Sequence, residues 1–257
     1  MPSIGSFIAE TGFVHRRSIP AVRGDTPARL FLFRRLAEVL DKCGGTGIKV
    51  LDIGCGDGRP WKANRSLLAA YAPILTGVDR DETAVRRFTD EFHAPGVRCD
   101  VANLRESLSG VTFDVAVSFN CLQYVHRLDA VFAGVRSVLT PGEAFLIVLG
   151  NPASRFWREL DFGSLQSQVG WWVTADRGFR RYGARSFARA ANRAGFDVVE
   201  FRHLTTARAK RLLNEMGETT VRDETVSEFL AAEIQAGASG RARPRDFVEM
   251  FVECRAR

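Results

Sequence analysis

The stretch VLDIGCGDGRP, Val50 to Pro60, restricts the fold more than any other part of the chain. Its first half is a short, nearly continuous apolar run, which suits a strand buried on both faces of a parallel sheet. Its second half places Gly54, Gly56 and Gly58 at alternate positions and runs into Arg59 and Pro60. Such a turn, leaving a parallel strand to enter a helix, lies at the carboxyl edge of the sheet, where ligands of doubly wound folds bind near the switch in strand order. Glycines there let the backbone bend tightly and admit a ligand where a Cβ would collide.

The flanking pattern agrees with that setting. Upstream, TPARLFLFRRLAEVLDKCGG predicts an amphipathic helix with Thr26 as N-cap, Pro27 at its first position, and Leu30, Phe33, Leu36 and Leu40 on one face, stopped by two glycines. Downstream, strand and helix alternate: strand ILTGV, helix Glu82 to Phe92, short strand GVRC, a helical turn near Asn103 to Leu108, strand FDVAVSF and a helix through DAVFAGVRSVL. Thr140, Pro141 and Gly142 read as a turn ahead of the strand AFLIVL. Alternation of this kind means βαβ crossovers, hence an α/β fold with a mostly parallel, doubly wound sheet and helices on both faces.

The second half is less regular. Residues 150–183 are too aromatic for a linker and too long for a simple connection, so they are expected to form a lid or pocket wall. A helix over 184–194 carries Phe187, Ala190, Ala191 and Ala194 on one face and stops at Gly195, and FDVVEFRHL alternates as a strand. Helices are expected near 205–216 and 225–235, then a loop, AGASGRARP, and a last strand, DFVEMFVEC. The organisation expected is an N-terminal arm and cap helix over 1–45 and one domain over 46–257, with a lid insert at 150–183 and a helical insert at 205–245.

Composition narrows the class of function. Hydrophobic residues make up 46% of the chain and charged residues 26%, an ordinary soluble balance, and no apolar run has the 18 or so residues of a membrane span. The first residues lack the pattern of a secretory signal, so a cytoplasmic location is expected. Five scattered cysteines with no C-x-x-C pair argue for reduced thiols and against a zinc or redox motif. The net charge of +6 invites a polyanion partner. Its densest segment, however, repeats Arg185, Arg189 and Arg193 at four-residue spacing, as on a solvated helix face.

Two ligand classes compete for the glycine turn. A dinucleotide fingerprint, G-x-G-x-x-G, would need its third glycine at residue 59, which is Arg59. The pattern present is Asp52-x-Gly54-x-Gly56-x-Gly58. A carboxylate ahead of the glycines repels a diphosphate and suits a cationic nucleoside.

Over residues 48–204 the chain resembles the class I S-adenosylmethionine-dependent methyltransferases of small-molecule type, whose motif after the first strand reads like VLDIGCGDG. The resemblance implies a Rossmann-like sheet of seven strands with the last one antiparallel, and S-adenosylmethionine as cofactor, leaving as S-adenosylhomocysteine. It implies that Gly54, Cys55, Gly56 and Gly58 line the methionine part of the cofactor, with Asp52 holding that loop or the cofactor's amino group. Asp79, followed by Arg80, would accept the ribose hydroxyls. Asp100 and Val101, in RCDVAN, would meet the adenine, and Asn120, in SFNCLQYV, the methionyl end, with Gln123 and Tyr124 beside the reaction centre.

A sulfonium methyl is already electrophilic, so no metal is expected, and the enzyme chiefly aligns acceptor, carbon and sulfur. Should the acceptor need a base, Tyr124, His126 and Tyr182 are the candidates. Trp157, Trp171, Trp172 and Tyr182 are candidates for an apolar acceptor wall. The expected reaction is methylation of an oxygen or nitrogen of a small metabolite, in secondary metabolism. The chain lacks both the Asn/Asp-Pro-Pro-aromatic tetrapeptide of amino-directed nucleic-acid methylases and a Pro-Cys nucleophile, so neither nucleic acid nor a membrane is the expected partner. The alternatives are an RNA or protein methyltransferase, or a protein of this fold that binds the cofactor without methylating.

Overall fold

The computed structural model describes residues 26–151, 182–206 and 243–257, with Ser154, Ala209 and Gln235. Seven strands form one sheet: β1 (Lys49–Ile53), β2 (Ile74–Asp79), β3 (Gly96–Arg98), β4 (Phe113–Phe119), β5 (Leu139–Gly150), β6 (Phe196–Thr206) and β7 (Phe247–Ala256). Their order is β3-β2-β1-β4-β5-β7-β6. All neighbours pair in parallel except β7, which is antiparallel to both β5 and β6. The strand order reverses between β1 and β4, so the glycine turn after β1 sits at the switch point.

Both faces of the sheet are covered, which is why the central strands read as apolar runs rather than as alternating ones. Along β5, Phe145, Ile147 and Leu149 enter one core and Ala144, Leu146 and Val148 the other. The helix Pro27–Lys42 (α1) fills the second core with Leu32, Phe33, Leu36, Val39 and Leu40. Thr26 caps it, accepting from Arg29 N at 3.4 Å, with Pro27 in the first turn. The short helix Arg59–Ala63 (α2) and the helix Glu82–Phe92 (α3) add Trp61 and Phe88 to the same side. Helices Leu104–Ser107 (α4), Leu128–Val138 (α5) and Ala184–Arg193 (α6) cover the other side through Leu104, Phe132 and Phe187. Phe132 stands edge-on to Phe145, Phe187 and Phe196, a cluster that fastens α5 and α6 to the sheet. Thus α1, expected as a cap, packs against the strands as one of the covering helices.

Two local expectations are corrected. Thr140, Pro141 and Gly142 do not separate helix from strand, because β5 starts at Leu139 directly after α5 and contains them. Leu139 pairs with Phe113, the register then slips, and pairing resumes at Ala144 with Val115. Gly142, at φ +86°, absorbs the irregularity where the strand end is exposed. The helix expected from residue 205 does not start there either, since β6 continues through Thr206 beside Phe247. Apart from Ala209 and Gln235, the rest of that helix and its neighbour over 225–235 lie outside the described residues, as does most of the 150–183 insert. Among those described, no helix is long and apolar enough to cross a membrane.

Candidate functional site

The turn after β1 is built from three glycines that do different jobs. All three have left-handed backbones, with φ of +73° at Gly54, +54° at Gly56 and +74° at Gly58. A Cβ on Gly54 would lie 2.2 Å from Cys121 Sγ, and one on Gly58 2.2 Å from the Phe92 ring, so these two are glycines because protein fills the space beside them. Among the described residues, a Cβ on Gly56 would meet nothing within 4 Å. Of the three, Gly56 is therefore the position where a ligand can come close to the main chain. Gly56→Ala is expected to cost only about 1–2 kcal/mol of stability, from the left-handed backbone, while weakening ligand binding at least tenfold. Urea unfolding and calorimetry on the same preparation check the contrast.

The turn is held from three sides. Val78 O accepts from Gly54 N at 2.8 Å and from Cys55 N at 3.0 Å, and Ser118 Oγ donates to Ile53 O at 2.9 Å. Asp79, half-buried at the end of β2, accepts from Gly56 N through Oδ2 and from Asp81 N through Oδ1, both at 3.0 Å. The cap of α3 is Asp81, which accepts from Thr83 N and Ala84 N, so Asp79 is not used for capping. Its carboxylate stands at the rim of the turn, with the exposed Arg80 beside it. Asp100 accepts from Ala102 N at 2.9 Å and caps the turn Val101–Asn103, and Val101 is buried.

Asp52 is sealed beneath the turn. It has no exposed surface, and Trp61 Nε1 donates to its Oδ2 at 2.6 Å while Oδ1 has no partner. Burial, opposed by the Trp61 bond and reinforced by the charge of Asp79, pushes its carboxyl up to about 7. Asp52, expected to hold the loop or a ligand's amino group, thus reaches Trp61 of α2 from beneath the turn. Cys121 lies between the turn and β4. Burial, with the negative charges of Asp79 and Asp52, pushes its thiol up to about 12, and Cys55 is driven up by burial as well. Both remain protonated at neutral pH and serve as packing.

Past β4, Asn120 adopts φ +54° and its N donates to Val148 O at 2.7 Å. Gln123 is buried and its Oε1 accepts from Gly150 N at 3.3 Å, tying this loop to the end of β5. Tyr124 and His126 are on the surface of the same loop. Burial of its hydroxyl, the largest influence, holds the Tyr124 phenol above its ordinary range although the residue is 37% exposed. The Tyr182 hydroxyl donates to Val125 O and fastens the start of α6 to the loop. That hydrogen bond uses the proton a base would have to lack. Trp157, Trp171 and Trp172 lie outside the described residues.

The sequence reading missed a second polar group at this edge. Arg29 of α1, Thr205 of β6 and Glu249 of β7 are all buried there beside Asn120. The available signal was an acid within the apolar strand DFVEMFVEC, a strand now seen to have neighbours on both sides.

A family model described as a methyltransferase domain matches residues 28–201. An uncharacterized methyltransferase of Mycobacterium tuberculosis is 30% identical over 100 residues, 38% of this chain and 49% of that protein. The chain therefore spans about half the length of the curated relatives it matches. Among solved structures, an S-adenosylmethionine-dependent methyltransferase from Mesorhizobium loti is similar with a TM-score of 0.58 at 19% identity, over 89% of this chain and 97% of that one. The cyclase SpnF is similar with a TM-score of 0.54 at 18% identity, over 87% and 81%. At these identities the structural likeness concerns the fold.

Proposed function

Because the chain belongs to the class I S-adenosylmethionine-dependent methyltransferases, we propose that it binds S-adenosylmethionine at the turn after β1 and methylates an oxygen or nitrogen of a small metabolite, in secondary metabolism. One observation carries this reading: a left-handed glycine open to the crevice, Gly56, with the half-buried carboxylate of Asp79 hydrogen-bonded to its N–H at the switch point of the sheet.

The residues present fit the cofactor. Gly56 leaves room for close approach to the main chain, and Asp79 offers acceptor oxygens to a diol. Asp79 also makes the crevice's electrostatics hospitable to a cation. When bound, S-adenosylmethionine supplies a methyl group on a cationic sulfur. The chain's part is to hold the crevice and its wall still, since alignment of the reacting groups is worth roughly 7 to 11 kcal/mol in favourable systems. Asp100 and Val101, at the edge formed by β3, are assigned to the adenine side, and Asn120, at the end of β4, to the methionyl side. Tyr124 and His126, exposed on the loop after β4, are our candidates to take a proton from an acceptor.

Support for a small acceptor comes from topology. The connections that leave β5 at Gly150 and β6 at Thr206 both start from the carboxyl edge, and β7 begins at that edge. That edge is where an acceptor has to meet the sulfonium methyl. Asp79→Ala is expected to weaken S-adenosylmethionine at least tenfold, about 1.4 kcal/mol, by calorimetry. Unchanged affinity overturns the assignment of Asp79. A wild-type protein that ignores S-adenosylmethionine and takes up a nicotinamide dinucleotide overturns the whole reading.

A further inference from the structure

Among the described residues, four other than glycine have left-handed backbones: Ala72, His93, Asn120 and Thr205. Ala72 lies in an exposed turn and His93 ends α3, positions where such a conformation is ordinary. Asn120 and Thr205 are at strand ends on the carboxyl edge, and Thr205 is β-branched and fully buried. A left-handed β-branched residue is strained and persists only when its surroundings fix it.

Both side chains meet one carboxylate. Glu249, 2% exposed, accepts from Thr205 Oγ1 at 2.7 Å and from Asn120 Nδ2 at 3.4 Å. The Asn120 Oδ1 in turn receives Arg29 Nε at 3.2 Å and Nη2 at 3.0 Å, and Arg29 is 3% exposed. Thr205 Oγ1 also accepts from Ala28 N at 3.1 Å, which anchors the first turn of α1. The charges dictate which way the Asn120 amide points, its oxygen toward the guanidinium and its NH2 toward the carboxylate. The next residue, Cys121, touches Gly54.

We propose that Arg29, Thr205 and Glu249 are positioning residues. Arg29 and Glu249 bind the Asn120 amide, Thr205 holds Glu249, and together they hold the Asn120 backbone left-handed, so that its main chain faces the methionyl end of the crevice. This rests on the cofactor reading given above. The group joins α1, β6 and β7 to the loop after β4, and so couples the wall of the crevice to elements distant in the chain. Buried charges of this kind are costly unless fully paired, and neutral substitutes of similar shape often serve stability equally well. A merely structural role predicts losses that do not depend on the ligand.

The test is calorimetry of S-adenosylmethionine, S-adenosylhomocysteine and adenosine against wild type, Glu249→Gln, Asn120→Gly and the double variant. Glu249→Gln is expected to weaken the two methionyl ligands at least tenfold and adenosine less than twofold. In the Asn120→Gly background the same change should cost less than threefold, because the amide that Glu249 holds is gone and glycine adopts the left-handed backbone unaided. Should Glu249→Gln not fold, Arg29→Lys, which keeps the charge and loses the fork, gives the same readout from the other side of Asn120. Equal weakening of all three ligands, or an undiminished penalty in the Asn120→Gly background, overturns the proposal alone. Failure of the wild-type protein to bind any of the three overturns the cofactor reading on which it rests.

Discussion

Gly54→Ala is expected to destabilise the protein by roughly 2–5 kcal/mol, combining about 1–2 for a left-handed alanine with about 1–3 for overpacking. The added methyl would lie 2.2 Å from Cys121 Sγ and 2.3 Å from its Cβ, with Cys121 Cα 3.7 Å away. The obstacle is thus a side chain that can be removed. Cys121→Gly in the same chain should return the overpacking part and leave the backbone strain, so a double-mutant cycle on urea midpoints should show a favourable coupling of about 1–3 kcal/mol. Additive effects would mean that the Gly54–Cys121 contact does not limit this position. The contrast with Gly56, where a methyl meets only open crevice, separates glycines needed by the fold from the one that admits a ligand.

The second large effect is electrostatic. Asp52 titrates near 7 in the folded protein against an ordinary value of 3.8. Between those values the folded chain holds a proton that the unfolded chain has lost, so the unfolded state binds fewer protons and stability falls as pH rises. The contribution is fully present below about pH 4, declines through the window up to about 7 and is flat above it, with a total on the order of 4 kcal/mol. Asp52→Asn keeps an oxygen for Trp61 Nε1 and cannot titrate. It puts an NH2 where Oδ1 has no partner, which costs about 1–3 kcal/mol at every pH. The slope between pH 4 and 7 should nevertheless flatten. Urea midpoints across pH 4 to 8 for both proteins give the comparison, and parallel curves would mean that Asp52 is not the titrating group.

Much of the architecture was legible because it is local. An apolar run of strand length, a Thr-Pro helix start and the segments Glu82 to Phe92 and FDVAVSF carry their own periodicity, and each appears as an element with the bounds the pattern gives. Thr140, Pro141 and Gly142 misled for an equally physical reason. Turn residues report a local bend, but pairing of Leu139 with Phe113 and of Ala144 with Val115 lets a strand run through that bend.

The candidate site divides along the same line. The run of glycines with Asp79 one strand later was readable, since strand-turn-helix units put such residues at one edge whatever lies elsewhere. That Gly54 yields to Cys121 and Gly58 to Phe92, and that Trp61 closes over Asp52, required the packing.

By itself, then, the sequence determined the alternation of strands and helices and the edge of the sheet that carries the glycine turn, because these follow from short-range pattern. The tertiary structure alone decided that Arg29, Asn120, Thr205 and Glu249 meet. Asn120 lies 91 residues from Arg29 and 129 from Glu249, and Ala28 lies 177 from Thr205. Contacts across such distances are set by where β7 inserts between β5 and β6, a choice made by the packing of the whole sheet and by no single stretch of chain.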